Sequence, residues 1–231
     1  LFPRTIGQIK SRKTLTKGKL EILEELAIDE WEEDFDPSFN IAPTQKSPIL
    51  RNIQNKRVVN MMNWGLIPSW SKDSKFAAKM INARSETLFE KPSFKRLIPR
   101  QRCIVISDGY FEWQKTSTGK IPHYIHSKDH SLMQMAGLWD MWKPHEGPPL
   151  LSYTVITTTP SDQLSHIHHR MPVILTEKNV INWLGNAIQS NEIADLLKPY
   201  PHDLDYYPVS TFVNYAANNS PECIKDLDHG N

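Results

Sequence analysis

Residues 103–126, CIVISDGYFEWQKTSTGKIPHYIH, decide how the rest of the chain is read. The apolar run Cys103-Ile104-Val105-Ile106 predicts a buried strand over 102–106. Further strands are expected at 110–114 and 121–126, joined by a hairpin whose loop is QKTSTGKI (114–121), with Gly119 near its end. Glu112 stands inside the second strand between Phe111 and Trp113. Alternation along a strand would send this carboxylate outward to water while its neighbours turn inward, and the pattern alone favours that reading. In the competing reading the aromatic rings strip the carboxylate of water, raise its pKa and make it a proton carrier near neutral pH.

Outward from this stretch, short β-like runs recur at 49–53, 57–64, 132–138 and 151–157, and MPVIL (171–175) reads as one more buried strand. A final strand is expected over 207–211. Leu20, Ile22, Leu23, Leu26 and Ala27 among Glu and Lys predict an amphipathic helix from Lys17 to Trp31. Other helices are expected near 177–184 and 191–197, a weak one begins at Pro92, and PSDQLSHI (160–167) suggests a short helix capped by Ser161. In FNIAPTQ (39–45) Pro43 restricts Ala42 to an extended conformation, and WGLIPSW (64–70) reads as a rigid loop edged by two tryptophans. Many short strands with a few helices and no regular βαβ alternation indicate a single α+β domain, 1–231, on a curled sheet.

The totals exclude several classes. No run of about 18 apolar residues predicts a membrane span, and Arg4, Lys10, Arg12 and Lys13 interrupt any signal-like stretch. The only cysteines are Cys103 and Cys223, without CxxC spacing, so neither a disulfide scaffold nor a cysteine zinc site is expected. A cytoplasmic location follows as the default. With a net charge of +1, nucleic-acid binding gains no support from the whole-chain balance and would need a local cluster. Seventeen prolines against nine glycines point to fixed turns rather than flexible linkers.

Chemistry-bearing residues gather in a few places. HIHHRMP (166–172) invites a metal reading, but there is no HExxH motif and the other histidines form no matching pattern, so no metal or other cofactor is expected. In an extended segment His166 and His168 would share one side with His169 turned away. His168, beside Ile167, suits proton handling; a solvent-facing role suits His169. No G-x-S-x-G elbow is present, and Cys103 reads as a small buried hydrophobe. In INARSET, Asn82 and Arg84 would face the same way, an amide to orient a group and a fixed charge for an anion such as phosphate. A turn asparagine and a surface ion pair are an equal alternative.

Six stretches taken together, FNIAPTQ, WGLIPSW, INARSETL, GYFEW, IHHRMPVIL and PVSTFVNYAANNSPE, run in order from residue 39 to 222. In them the chain resembles the SRAP family, the SOS-response-associated peptidases. The resemblance implies a β-barrel-like sheet flanked by helices, a groove for single-stranded DNA, and covalent capture of the ring-opened aldehyde of an abasic site. It also implies autoproteolytic removal of the initiator methionine. By motif position it implies catalytic roles for Asn82, Glu112 and His168. It further implies phosphate contacts for Arg84 and Arg170, and a DNA groove lined by Asn40, Pro43 and Trp70. A monomer with abasic single-stranded DNA as partner and no membrane partner is expected. The family nucleophile, a cysteine directly after the initiator methionine, has no counterpart in a chain that starts at Leu1. A Met-Cys-Gly-Arg-like start upstream is expected; a variant that has lost the residue is the alternative. Two other readings stay open, a cysteine peptidase acting on protein substrates and a single-stranded-DNA-binding module without chemistry.

Overall fold

The computed structural model describes residues 11–185 and 189–228. The expectations that concern the chain start therefore lie outside the described residues. Chain order gives β1 (Arg12–Leu15), α1 (Lys19–Glu25), β2 (Ser38–Ile41), β3 (Lys46–Ile53) and β4 (Lys56–Trp64). Next come β5 (Asn82–Arg84), α2 (Pro92–Lys95), β6 (Arg102–Ser107), β7 (Gly109–Thr116) and β8 (Gly119–Ser127). The remainder is β9 (Met133–Trp142), β10 (Leu150–Thr158), β11 (Met171–Pro172), α3 (Glu177–Leu184), α4 (Ser190–Leu196) and β12 (Leu204–Pro208).

These strands make two sheets. In the larger, β10 pairs β4, β4 pairs β3, β3 pairs β6, β6 pairs β9, and β9 returns to β10. The ring is closed, which removes the exposed edges of an open sheet. The β4–β10 pairing is parallel, and β5 and β11 attach to the far half of β10. The second sheet is antiparallel, in the order β12-β8-β7-β1-β2. The molecule is thus one α+β domain with a barrel-like sheet and flanking helices.

The quoted stretch is where the two sheets join, because β6 belongs to the ring and β7 to the second sheet. Asp108 makes the corner. Its carboxylate accepts from the Thr14 hydroxyl and from both the backbone N–H and the hydroxyl of Thr16, tying the corner to β1. Gly109 is needed there, since a Cβ would stand 2.4 Å from the Tyr124 ring. On the other face of β1, buried Lys13 donates to Ser47 Oγ at 2.7 Å and to the Ile106 carbonyl at 2.8 Å, linking β1 to β3 and β6. The main core covers both faces of the ring strands, with Leu50, Ile104 and Leu138 on one face and Met62 and Tyr153 on the other. A smaller cluster of Phe111, Trp113, Tyr124, Val209, Val213 and Cys223 packs under the second sheet.

Some local expectations need correction. The first helix spans Lys19–Glu25, not 17–31, because Ala27 takes a positive φ of 46° and turns the chain away. Leu26 and Trp31 are buried all the same, which explains the amphipathic spacing. Only Met171–Pro172 of MPVIL is a paired strand, although Val173, Ile174 and Leu175 continue buried. The last strand lies at Leu204–Pro208, and Ser210 instead caps a 3-10 turn over Thr211–Asn214. Ser161 precedes a 3-10 turn, Asp162–Leu164, without a side-chain capping bond. Among the described residues no helix is long and apolar enough to cross a membrane.

Candidate active site

Glu112 sits in β7, opposite His123 of β8. Strand alternation places Phe111 and Trp113 on the far face, in the smaller cluster, while Tyr110 on Glu112's own face belongs to the main core. The flanking rings are therefore not what strips Glu112 of water. The face itself is covered, and the side chain retains 19% exposure. Desolvation pushes its carboxyl up to about 8, against the opposing pull of a hydrogen bond from the Trp113 backbone. The two sequence readings were each half right, since alternation does turn Glu112 away from its neighbours, but not into open water.

Glu112 forms part of two cavities. One, of about 30 Å³, is bounded by Ser11, Asn82, Tyr110, Thr157 and the apolar Trp64, Met135 and Val155. This is where the first described residues enter, because Arg12 pairs with Phe111 along β7. The Asn82 amide lies 3.4 Å from Ser11 Oγ. Asn82 and Arg84 share the exposed face of β5 with Ala83 buried between them. The other cavity, about 350 Å³, is lined by Glu112, Lys115, Lys120, His166, His168 and His169 among others.

His168 Nδ1 stands 3.3 Å from Glu112 Oε2 and 3.2 Å from the Arg170 carbonyl. A carbonyl only accepts, so this contact places the proton on Nδ1 and leaves Nε2 free to accept. Burial lowers the His168 pKa, aided by His169, Lys120 and Arg170. The expectation that His169 turns away is corrected. Residues 165–167 form a turn rather than an extended segment, and the His168 and His169 rings lie 4.4 Å apart on one cavity wall. Among the described residues no group of three or more His, Cys, Asp or Glu side chains is arranged to hold a metal ion.

The remaining sequence-derived residues divide sharply. Arg84 is exposed, and its side chain makes no hydrogen bond or ion pair among the described residues, while its backbone pairs with Thr157 of β10. Arg170 is already engaged, with Nη1 and Nη2 at 2.6 and 3.0 Å from the Glu86 carboxylate and Nη2 at 2.5 Å from the Thr157 carbonyl. Trp70 is 52% exposed, with its ring edge-on to exposed Phe76 at 5.8 Å. Pro43 is half-buried in the turn after β2. Asn40 is 1% exposed, and its amide donates to the carbonyls of Val213, Tyr215 and Asn218. Its side chain fastens the C-terminal segment and does not line a groove. Cys103 and Cys223 are both buried with raised pKa values, which suits neither to be a nucleophile. Tyr110, Lys115 and Lys120 were not singled out in the sequence. Tyr110 was signalled only by its spacing of two from Glu112, and the lysines only by their hairpin positions.

The family model of SOS response associated peptidases (SRAP) matches residues 10–216. The chain belongs to this family. Over 219 residues it is 42% identical to "Abasic site processing protein YoqW" of Bacillus subtilis, covering 93% of this chain and 98% of that protein. It is 37% identical over 236 residues to "Abasic site processing protein HMCES" of Gallus gallus, covering 87% and 70% of the two chains. A crystal structure of a protein from Bacteroides thetaiotaomicron superposes with a TM-score of 0.84 at 30% identity, covering 94% of this chain and 99% of that one.

Proposed function

We propose that this SRAP protein binds single-stranded DNA at abasic sites and captures the ring-opened sugar aldehyde covalently. It does so through an N-terminal cysteine exposed by autoproteolytic loss of the initiator methionine, in a cytoplasmic monomer. The observation that carries the reading is the position of Glu112, between His168 on one side and the incoming β1 on the other. The names of the YoqW and HMCES relatives supply the substrate class.

An N-terminal cysteine offers an α-amine and a thiol that both titrate near neutrality, at about 7.7–8.0 and 8.5. The amine adds to the aldehyde and water leaves, giving an imine. The thiol then adds across that imine: a C–S bond forms, the thiol proton passes to nitrogen, and a five-membered thiazolidine closes. Glu112, largely protonated at neutral pH, donates to the sugar ring oxygen as the ring opens and then assists loss of water. His168 takes and returns protons beside it, and the Asn82 amide orients the arriving N-terminal segment. Arg84 holds a phosphate, and Trp70 stacks on a base.

The test uses protein with the N-terminal cysteine and an abasic oligonucleotide. The adduct should survive heat and salt, and should be lost when that cysteine is replaced by serine. Cleavage of unrelated peptides without adduct formation would favour a peptidase acting on protein substrates instead. Reversible binding of abasic DNA without any adduct would leave only a binding module.

A further inference from the structure

The larger of the two cavities that Glu112 lines carries two lysines. Lys115 and Lys120 face each other across the β7–β8 hairpin. Both are exposed, and neither makes an ion pair or side-chain hydrogen bond among the described residues. His166, His168 and His169 share the lining, and among the described residues its only carboxyl is that of Glu112, which burial keeps largely protonated near pH 7. The volume, about 350 Å³, falls in the range of roughly 300–1,000 Å³ typical of ligand pockets. The adjoining cleft is mixed, with Asp205, Asp226 and Asp228 alongside His123, His126 and His130 on its walls. The two meet where the His166 ring lies 5.5 Å from Tyr206. A polyanion leaving Glu112 is drawn toward the unpaired lysine charges.

We propose that the Lys115/Lys120 cleft is an anion subsite for the phosphodiester on one side of the abasic nucleotide. This deepens the proposed function and rests on it. Glu112 is the only residue common to the lysine cleft and the small cavity beside Asn82. An abasic sugar at Glu112 therefore has Arg84 toward one flanking phosphate, on the exposed face of β5, and the two lysines toward the other. His166 and His169, in the same lining, add imidazole hydrogen bonds.

The experiment compares the cysteine-bearing wild type with K115A/K120A and K115R/K120R on three oligonucleotides. In one the abasic nucleotide is internal; in the others it is the 5′ or the 3′ terminal nucleotide, without the phosphodiester on that side. K115A/K120A should bind the internal site about tenfold more weakly, with a log-log salt slope smaller by about 0.7, the value for one phosphate. The deficit should vanish for one terminal oligonucleotide and persist for the other, and K115R/K120R should behave as wild type. An unchanged affinity for the internal site, or an equal deficit with both terminal oligonucleotides, would overturn the subsite. Wild-type protein that neither binds nor captures any of the three would overturn the proposed function and the subsite with it. Wild-type capture without a lysine effect would remove the subsite alone.

Discussion

Glu112 Oε2 and His168 Nδ1 stand 3.3 Å apart, and burial drives both groups toward their neutral forms. The carboxyl rises to about 8 while the imidazole falls. Near neutral pH the pair thus presents a protonated acid beside an unprotonated base. This suits proton delivery to a leaving sugar oxygen followed by proton recovery, since efficiency is greatest when the pKa lies near the working pH.

The raised Glu112 pKa has a consequence for stability that does not depend on the proposed reaction. Between the ordinary carboxyl value of 4.5 and about 8 the folded state binds more protons than the unfolded state. Stability from this group is therefore fully present below 4.5 and is lost as pH rises through about 8. Glu112→Gln removes the dependence. Its stability relative to wild type should rise between pH 5 and pH 9, by an amount on the order of a few kcal/mol. Denaturant unfolding at the two pH values checks this, and a pH-independent difference would contradict it. Lys13, whose pKa is lowered to about 7, contributes the opposite slope above that pH in both proteins and cancels from the comparison.

Asn40→Asp should destabilise the fold. The substitution puts a carboxylate against three carbonyl oxygens that now receive an amide donor. Loss of buried hydrogen bonding costs about 1–3 kcal/mol, and more for a charged group. At about 2–4 °C per kcal/mol, the melting temperature should fall by several degrees. An unchanged melting temperature would show that this tie to the C-terminal segment contributes nothing.

Arg84 and Arg170 should differ in their effect on DNA binding. Arg84→Ala should lower affinity for single-stranded DNA and reduce the salt slope by about 0.7. Arg170 is held by Glu86, so Glu86→Gln should raise affinity by releasing it and removing a negative charge. Fluorescence anisotropy across a salt series measures both. Weaker binding by Glu86→Gln would mean that the ion pair must stay intact to shape the groove.

Trp70→Ala should weaken single-stranded DNA binding by about 1–3 kcal/mol, the usual range for one base on an aromatic ring. Trp70 is half-exposed, so thermal stability should change little. A large loss of stability with unchanged DNA affinity would assign the ring to packing instead.

The sequence carried the strand pattern well where periodicity was strong. The runs at 102–106 and 121–126 and the hairpin between them were legible because apolar alternation and turn residues agree there. The closure of β9 and β10 with β3, β4 and β6 was not, since strand partners far apart in the chain leave no local signal. At the site, Glu112 was legible as an anomaly but its cause was misassigned to adjacent rings. Adjacent strand residues face opposite ways, and the covering groups come from distant elements. His169 is exposed as expected, but it shares a side with His168 because residues 165–167 form a turn rather than an extended segment. Asn40 was misplaced because a motif position does not reveal whether a side chain faces outward or is spent on buried carbonyls.

The most direct test of the central claim is the rate at which Glu112→Gln protein, carrying its N-terminal cysteine, forms the adduct with an abasic oligonucleotide. Removing a positioned acid commonly costs about 10²–10⁴ in rate, so adduct formation should slow by that factor while affinity for undamaged single-stranded DNA stays near wild type. Wild-type adduct kinetics in the variant would contradict a proton-carrying role for Glu112.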